Sequence, residues 1–179
     1  MDRIAVVSSG PGAGKTTFAR ELAQRIGALH VELDALFWGA GWRPVDLELY
    51  RRRVGDAAAC ERWVIDGNYR SVRDLVWPRA DTLVWLDYPL WLAFPRLLSR
   101  TLTRWRSGDE LWPGTGNRES FRLLFLSRDS ILIWALRTYP GRRKRFATDL
   151  AKPEHAHLRV ARLRTPGEAG AWLRRLEPH

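Results

Sequence analysis

Cysteine is nearly absent from this chain, since Cys60 is the one cysteine among its 179 residues. A single cysteine excludes a disulfide within the chain and fits a reducing compartment. Its simplest interpretation is a small hydrophobic side chain buried on a helix. The sequence also lacks any apolar run near the roughly 20 residues that a membrane-spanning helix needs. Its first residues show no basic and apolar leader pattern. We therefore expect a cytoplasmic protein with no membrane partner.

Lysine is scarce too, because 27 of the 30 basic residues are arginine, and the formal net charge is +10. Arginine presents a planar fork that binds a phosphate through two hydrogen bonds. The charge therefore indicates phosphorylated ligands or nucleic acid. A general bias toward arginine, which leaves only a basic surface, explains the same numbers equally well. The length suits a single domain, residues 1–179, with a full-sized core.

A glycine-rich segment near the start, Ser8–Thr17, follows the apolar run 4–7. Beyond it, Phe18, Leu22 and Ile26 fall on one face of a predicted helix. Strand, glycine-rich turn and helix in this order predict a P-loop, in which backbone N–H groups and the helix N-terminus surround a phosphate. The predicted nucleotide-binding residues are Gly10, Pro11, Gly12, Ala13, Gly14, Lys15, Thr16 and Thr17.

Two side chains of the P-loop have specific expected roles. Lys15 is expected to reach the β- and γ-phosphates of ATP, and the Thr16 hydroxyl is expected to bind Mg²⁺. The usual motif has glycine where this chain has Ser9, but a serine can make the turn if its φ stays negative. The alternative interpretation is a glycine-rich turn that binds nothing.

A second candidate metal ligand, Asp66, ends the apolar run 63–65. An apolar strand that ends in aspartate is typical of the carboxylate that holds Mg²⁺ from the strand beside a P-loop. The pattern is weak alone and becomes informative when a P-loop precedes it at this distance. We therefore predict that Thr16 and Asp66 bind the metal.

Asp34 follows the predicted strand 29–33. Open α/β sheets bind ligands at the carboxyl ends of their strands. Asp34 is therefore predicted to position an acceptor hydroxyl for catalysis, the alternative being an N-cap of a helix. The other predicted acceptor-site residues are Phe37, Trp38, Trp42, Asn68 and Arg70.

A predicted helix from about residue 91 carries Arg96, Arg100 and Arg104 at intervals of four, which puts them on one basic stripe. The alternative interpretation of this stripe is a helix surface that happens to be basic. Residues 104–120 are predicted to form a lid, because they are rich in glycine and polar residues.

The remaining segments complete the predicted fold. A long helix, 121–139, is expected to end at Pro140–Gly141, and the basic cluster 142–145 is expected to be a solvated helix surface. Strands alternating with helices predict a three-layer α/β P-loop NTPase fold, with a mainly parallel sheet of five strands and a helical or loop lid insertion. The predicted strands are 4–7, 29–33, 63–66, 82–86 and 158–163.

Taken together, several motifs resemble the P-loop kinases of the adenylate-kinase group, and within it the small proteins described as DNA topology modulation (FlaR-type) proteins. The resemblance covers nearly the whole chain. It implies that Arg96 stacks on adenine and that Arg100 pairs with the transferring phosphates. Arg104, on the same stripe, joins Arg100 as a catalytic candidate. The motifs are the P-loop, 33–38 with Gly41–Trp42, 63–69, 85–89, and Leu111–Trp112 with 116–119.

The leading hypothesis is a kinase that transfers the γ-phosphoryl group of Mg-ATP to an unidentified small-molecule acceptor, through a hydroxyl or a phosphate. Asn68–Tyr69 departs from the adenylate-kinase pattern, which argues against AMP as the acceptor. The alternative is a nucleic-acid-associated ATPase or regulator, suggested by the charge and by the cluster 142–145. Any nucleic-acid binding is expected to be weak and non-specific.

Overall fold

Short segments of four to six residues alternate with amphipathic stretches along this chain, and each short segment is a strand of one sheet. The three inner strands are mainly apolar, and the two edge strands mix apolar and polar residues. The computed structural model describes residues 1–118 and 131–176. The strands are β1 (Arg3–Ser8), β2 (Leu29–Glu32), β3 (Trp63–Asp66), β4 (Thr82–Leu86) and β5 (Arg159–Leu163). The helices are α1 (Lys15–Ile26), α2 (Leu33–Phe37), α3 (Leu47–Ala59), α4 (Arg73–Val76), α5 (Leu90–Ser107), α6 (Ile131–Leu150) and α7 (Pro166–Arg174).

The strand order is β2-β3-β1-β4-β5, and each neighbouring pair is parallel. Parallel strands are covered by helices on both faces, which explains why β1 and β4 read as continuous apolar runs. The order places β1 at the centre, between β3 and β4. The carboxyl ends of all five strands therefore meet at one edge of the sheet. These observations confirm the predicted α/β fold with a parallel five-stranded sheet.

Each face of the sheet buries its own hydrophobic core. One core contains aromatic and aliphatic side chains from α3, from the segment around α4 and from α6; examples are Tyr50, Val54, Trp77 and Phe146. The other core is formed by α1, the start of α5 and α7, with Leu22, Ile26, Ala93 and Leu173. Among the described helices, none is both long and apolar enough to cross a bilayer.

Two predictions fail at element ends. The second strand stops at Glu32, and α2 begins at Leu33, so Asp34 lies in the first turn of a short helix rather than at the end of a strand. Cys60 is exposed, which contradicts the expected burial. The reason is local, because α3 ends at Ala59 and Cys60 already has an extended backbone.

The predicted break at Pro140–Gly141 is wrong, because α6 continues through both residues. A proline inside a helix removes one hydrogen bond and crowds the preceding turn. Here tertiary packing offsets that cost: the Tyr139 hydroxyl donates to the Tyr88 carbonyl, and Phe146 is buried against the sheet. The first part of that predicted helix, residues 121–130, and the last two residues of the predicted lid, 119–120, lie outside the described residues.

Candidate active site

The P-loop connects the end of β1 to the first residue of α1, Lys15. Gly12 and Gly14 have left-handed φ values of 84° and 78°, which glycine adopts without strain. At Gly12 a side chain has no room, because a Cβ would collide with the Ala93 carbonyl oxygen and lie 2.9 Å from Leu97 Cβ. The loop therefore packs its backbone directly onto α5. The first N–H groups of α1 lie at the end of this loop, as phosphate binding requires.

Ser9 makes its turn as expected, without a positive φ. Its side chain is fully buried, and its hydroxyl donates to Asp87 Oδ1 at 2.5 Å. The same hydroxyl accepts a hydrogen bond from Trp85 Nε1 at 3.0 Å. Ser9, which stands where the usual motif has glycine, is thus bonded to Trp85 of β4 and to Asp87, which follows β4.

An oxygen-rich cluster lies beside the P-loop. The Thr16 hydroxyl is 3.3 Å from Asp66 Oδ1 and 3.4 Å from Glu32 Oε1. Glu32 and Asp66 are opposite each other in the register of β2 and β3, which explains why they meet. His30 Nε2 is 2.8 Å from Asp66 Oδ2, so one carboxylate oxygen faces the histidine and the other faces Thr16. Glu32 was not among the predicted ligands; its place at the end of a strand, two residues before Asp34, was the available signal.

The electrostatics of this cluster favour a bound cation. The pKa of Glu32 is raised by partial burial and by the neighbouring carboxylates of Asp66 and Asp34, while Lys15 acts in the opposite direction. A divalent ion would relieve that repulsion, and oxygen ligands are those that Mg²⁺ prefers. Thr16 and Asp66 therefore fit the metal predicted for them. Within residues 1–118 and 131–176, no three His, Cys, Asp or Glu side chains are grouped to hold a metal ion by themselves.

Asp34 lies on the same sheet edge and has a specific partner. The Tyr69 hydroxyl donates to Asp34 Oδ1 at 2.5 Å. The N-cap alternative for Asp34 is wrong, since Glu32 occupies the cap position of α2. Burial and the Asp34 carboxylate raise the pKa of Tyr69, so its phenol remains a neutral donor at physiological pH. Tyr69 was not predicted as a site residue, because its role depends on a contact across 35 positions of the sequence.

The predicted aromatic residues do come together. The Phe37 ring centre lies 4.9 Å from that of Trp38 and 4.7 Å from that of Tyr69. Trp42 is 5.8 Å from Trp38 and 5.7 Å from Trp112, which belongs to the predicted lid. The Trp112 side chain lies near enough to Glu32 to act against the rise in the pKa of that carboxyl, so the predicted lid reaches the acidic cluster.

A buried side-chain amide joins the predicted lid to the segment around Trp42, one of the predicted acceptor-site residues. Asn117 is 1% exposed; its Oδ1 accepts from the Trp42 N–H at 2.8 Å, and its Nδ2 donates to the Gly39 carbonyl at 2.9 Å. Trp42 has a left-handed φ of 59°, which is strained for a bulky residue. Asn117 therefore holds an unusual backbone conformation next to the aromatic cluster.

The other predicted site residues have distinct places. Asn68 donates from Nδ2 to the Ser8 carbonyl at 2.7 Å and accepts from the Ser8 N–H at 3.1 Å, so its amide joins the β3 loop to β1. Arg70 is exposed. The Arg96 guanidinium lies beside Gly14, 3.7 Å from where a Cβ would be. Arg100 and Arg104 follow one and two turns along α5.

The sequence matches no protein-family model, and it matches none of the curated proteins. Solved structures share the fold over nearly the whole chain. A shikimate kinase from Bacteroides thetaiotaomicron aligns with a TM-score of 0.54 and 18% identity, over 98% of this chain and 96% of that chain. A gluconokinase from Sinorhizobium meliloti 1021 aligns with 0.52 and 20%, over 98% and 93%. A sugar kinase from Janibacter sp. HTCC2649 aligns with 0.51 and 20%, over 98% and 92%.

These likenesses show that the chain shares its fold with these kinases. They do not confirm the narrower resemblance to the adenylate-kinase group or to FlaR-type proteins, which stays a prediction.

Proposed function

We propose that this protein is a kinase that transfers the γ-phosphoryl group of Mg-ATP to a hydroxyl of a small molecule. One observation carries the proposal: Asp34 is held by Tyr69 on the sheet edge where Thr16, Glu32 and Asp66 converge beside the P-loop. A carboxylate on the same sheet edge as a phosphate-binding loop is suited to orient a nucleophile. A catalyst of phosphoryl transfer mainly needs such positioning together with charge stabilisation.

In this proposal the chain's own residues divide the work. The P-loop N–H groups and Lys15 bind the phosphates, Arg96 stacks on adenine, and Arg100 and Arg104 stabilise the charge that spreads during transfer. Thr16 and Asp66 would hold Mg²⁺, which supplies positive charge to the β- and γ-phosphate oxygens. Asp34 accepts the hydrogen bond of the acceptor hydroxyl. The hydroxyl oxygen forms the new bond to the γ-phosphorus as the bond to the ADP oxygen breaks, and the hydroxyl proton passes to the Asp34 carboxylate late in the step.

The aromatic cluster around Trp38 and Trp42 supports an acceptor with an apolar face, because such walls bind ligands and exclude water from the phosphate. The fold's occurrence in kinases named for sugars, shikimate and gluconate supports an acceptor hydroxyl rather than a phosphate.

The test is release of ADP from Mg-ATP in the presence of sugars, polyols, hydroxy acids, nucleosides and nucleoside monophosphates, each added separately. We expect release of ADP only when one class of these hydroxyl compounds is present. With that acceptor, Asp34→Asn should keep ATP affinity and melting temperature and lose most of the turnover. Lys15→Ala should lose turnover and ATP affinity together.

Two results would contradict the proposal. ADP release that is the same with and without every acceptor would indicate an ATPase. An Asp34→Asn variant with unchanged acceptor-dependent turnover would remove the role assigned to that carboxylate.

A further inference from the structure

A buried carboxylate that the proposed mechanism does not use lies directly after β4. Asp87 is 0% exposed, and its backbone N–H donates to the Leu163 carbonyl at 2.8 Å. Its Oδ1 accepts the Ser9 hydroxyl at 2.5 Å. Its Oδ2 faces two guanidinium groups, Arg143 Nε at 3.0 Å and Arg162 Nε at 2.9 Å.

We propose that Asp87 is a positioning residue for nucleotide binding, which fixes the phosphate-binding loop through the Ser9 hydroxyl. The proposal rests on the nucleotide binding proposed for the P-loop, and it is independent of the acceptor. It assigns a purpose to the serine that replaces the usual first glycine of the motif. It also assigns a purpose to two arginines, Arg143 and Arg162. The basic residues of this sequence otherwise suggest only a generally basic surface.

The start of the loop is held by side chains, whereas its later part depends on glycine. Ser9 is bonded on one side to Asp87 and on the other to Trp85 Nε1. The Ser8 hydroxyl donates to the Gly10 carbonyl at 2.7 Å, which restrains the next turn. Because these bonds are buried, they are stronger than similar bonds in water, and breaking one leaves a polar group unsatisfied. The backbone that precedes Gly12 is therefore fixed before a phosphate arrives.

The two arginines compensate for the burial of the Asp87 carboxylate. A fully buried carboxylate is costly unless it is paired. Arg143 comes from α6 and Arg162 from β5, and the Arg162 guanidinium also lies 4.3 Å from the centre of the Trp85 ring. Arg143 is exposed, as expected for the cluster 142–145, but its guanidinium also pairs with the buried Asp87.

Helix α6 touches the loop at a second point. A Cβ on Gly10 would lie 3.1 Å from Tyr139 Cδ2, so the tyrosine ring packs against the loop backbone. The Tyr139 hydroxyl donates to the Tyr88 carbonyl, next to Asp87. Tyr139 and Arg143 are one helical turn apart, which places both on the same face of α6. The position of α6 and the shape of the loop are therefore linked.

Three variants test the proposal by titration calorimetry with Mg-ATP. Ser9→Ala removes the hydroxyl, Ser9→Gly restores the usual glycine, and Asp87→Asn removes the charge but keeps the shape. We expect each to weaken ATP affinity about tenfold, because each loses a buried hydrogen bond to a charged group. The Ser9→Ala, Asp87→Asn double variant should bind ATP only slightly more weakly than the single variant with the larger loss of affinity, because both changes act on the same bond.

A matched control exists at the opposite end of β4. Asp81 accepts the N–H groups of Asp2 and Arg3 and the Thr82 hydroxyl, far from the loop. Asp81→Asn should lower the melting temperature as Asp87→Asn does, and it should leave ATP affinity unchanged.

The outcomes separate the two proposals. Wild-type ATP affinity in Ser9→Ala and Ser9→Gly would overturn the positioning role, and so would an Asp87→Asn variant that is less stable but binds ATP normally. If Asp87→Asn fails to fold, the two Ser9 variants decide alone. If Lys15→Ala also binds ATP as tightly as the wild type, the P-loop assignment itself fails, and with it the proposed function.

Discussion

Tyr50, which is buried, and Tyr69, which is partly buried, are neighbouring tyrosines whose hydroxyl groups have different surroundings. Both rings pack on Phe37, with ring centres 5.2 Å and 4.7 Å away, and they lie 5.5 Å from each other. The Tyr69 hydroxyl donates to Asp34, whereas the Tyr50 hydroxyl has no hydrogen-bond partner among the described residues. For both phenols, burial first and then the nearby Asp34 carboxylate raise the pKa, so neither ionises near neutral pH. The pair offers an internal comparison of one hydroxyl that positions a carboxylate and one that does not.

We expect Tyr69→Phe to impair the use of the acceptor and to spare ATP binding. The ring contacts remain, but Asp34 loses the bond that fixes its orientation, which is worth about tenfold in acceptor KM or turnover. Tyr50→Phe should change neither, because its hydroxyl contributes no hydrogen bond. Acceptor-dependent kinetics and ATP titration on both variants check this. Equal effects of the two substitutions would mean that the aromatic packing matters and the hydroxyl does not.

At the scale of elements, the P-loop and α5 are packed without any side chain between them at Gly12. The loop backbone meets the Ala93 carbonyl and Leu97 there, on the first two turns of α5. Arg96 lies on the same part of α5, with its guanidinium beside Gly14. The position of the arginine stripe relative to the phosphates therefore depends on this close approach.

Gly12→Ala is expected to lower the melting temperature by several degrees and to weaken ATP binding, because the new methyl group would push α5 away from the loop. Gly114→Ala is the matched control. Gly114 has a φ of 82°, close to the 84° of Gly12, but no atom lies within 4 Å of its Cβ position. Both variants carry the cost of a left-handed alanine, about 1 kcal/mol, and only Gly12→Ala adds the collision. Thermal unfolding of both variants measures the difference. Similar losses in both would show that the contact with α5 is not tight.

Helix α6 shows where local patterns mislead. Proline and glycine at 140–141 predict an end to the helix, and four basic residues in a row predict a solvated surface. The first prediction fails, since Tyr139, Arg143 and Phe146 attach this helix to β4 and to the residues that follow β4. The second prediction holds for residues 143–145, which are exposed, although Arg143 also pairs with Asp87. Contacts with distant residues stabilise the helix at this position, and the local sequence pattern around position 140 does not predict them.

At the scale of the whole molecule, strand positions and the P-loop could be predicted because they depend on short, continuous patterns. Short apolar or alternating patterns predict all five strands to within about a residue at their ends, and the parallel sheet then brings Lys15, Asp34 and Asp66 to one edge. Side chains that meet from distant positions could not be predicted. Ser9 and Asp87 are separated by 78 positions, Trp42 and Asn117 by 75, and Asp34 and Tyr69 by 35. Such pairs depend on strand register and helix packing, which no local pattern specifies.

The net charge of +10 is also a property of the whole molecule, and several of its arginines are engaged within the fold. Arg143 and Arg162 face Asp87, and Arg73 pairs with Asp149 at 2.5 Å. These arginines stabilise internal carboxylates, so their presence in the composition is no evidence for a nucleic-acid surface. The alternative, a nucleic-acid-associated protein, then depends on the other basic residues, those exposed on the surface.

We therefore expect DNA binding that is weak, insensitive to sequence and governed by salt. A basic surface binds a duplex by releasing counterions, so affinity falls steeply as salt rises, by roughly 10³-fold or more between 50 and 200 mM when six or more phosphates are contacted. Fluorescence anisotropy with two unrelated duplexes across this salt range gives the slope. The two duplexes should bind equally, and saturating Mg-ATP should not release either one, because the phosphate-binding loop is a separate site. Lys15→Ala should bind both duplexes as the wild type does. Selective binding of one duplex at 150 mM salt, or its release by Mg-ATP, would contradict this expectation and favour a regulator whose nucleotide site controls DNA binding.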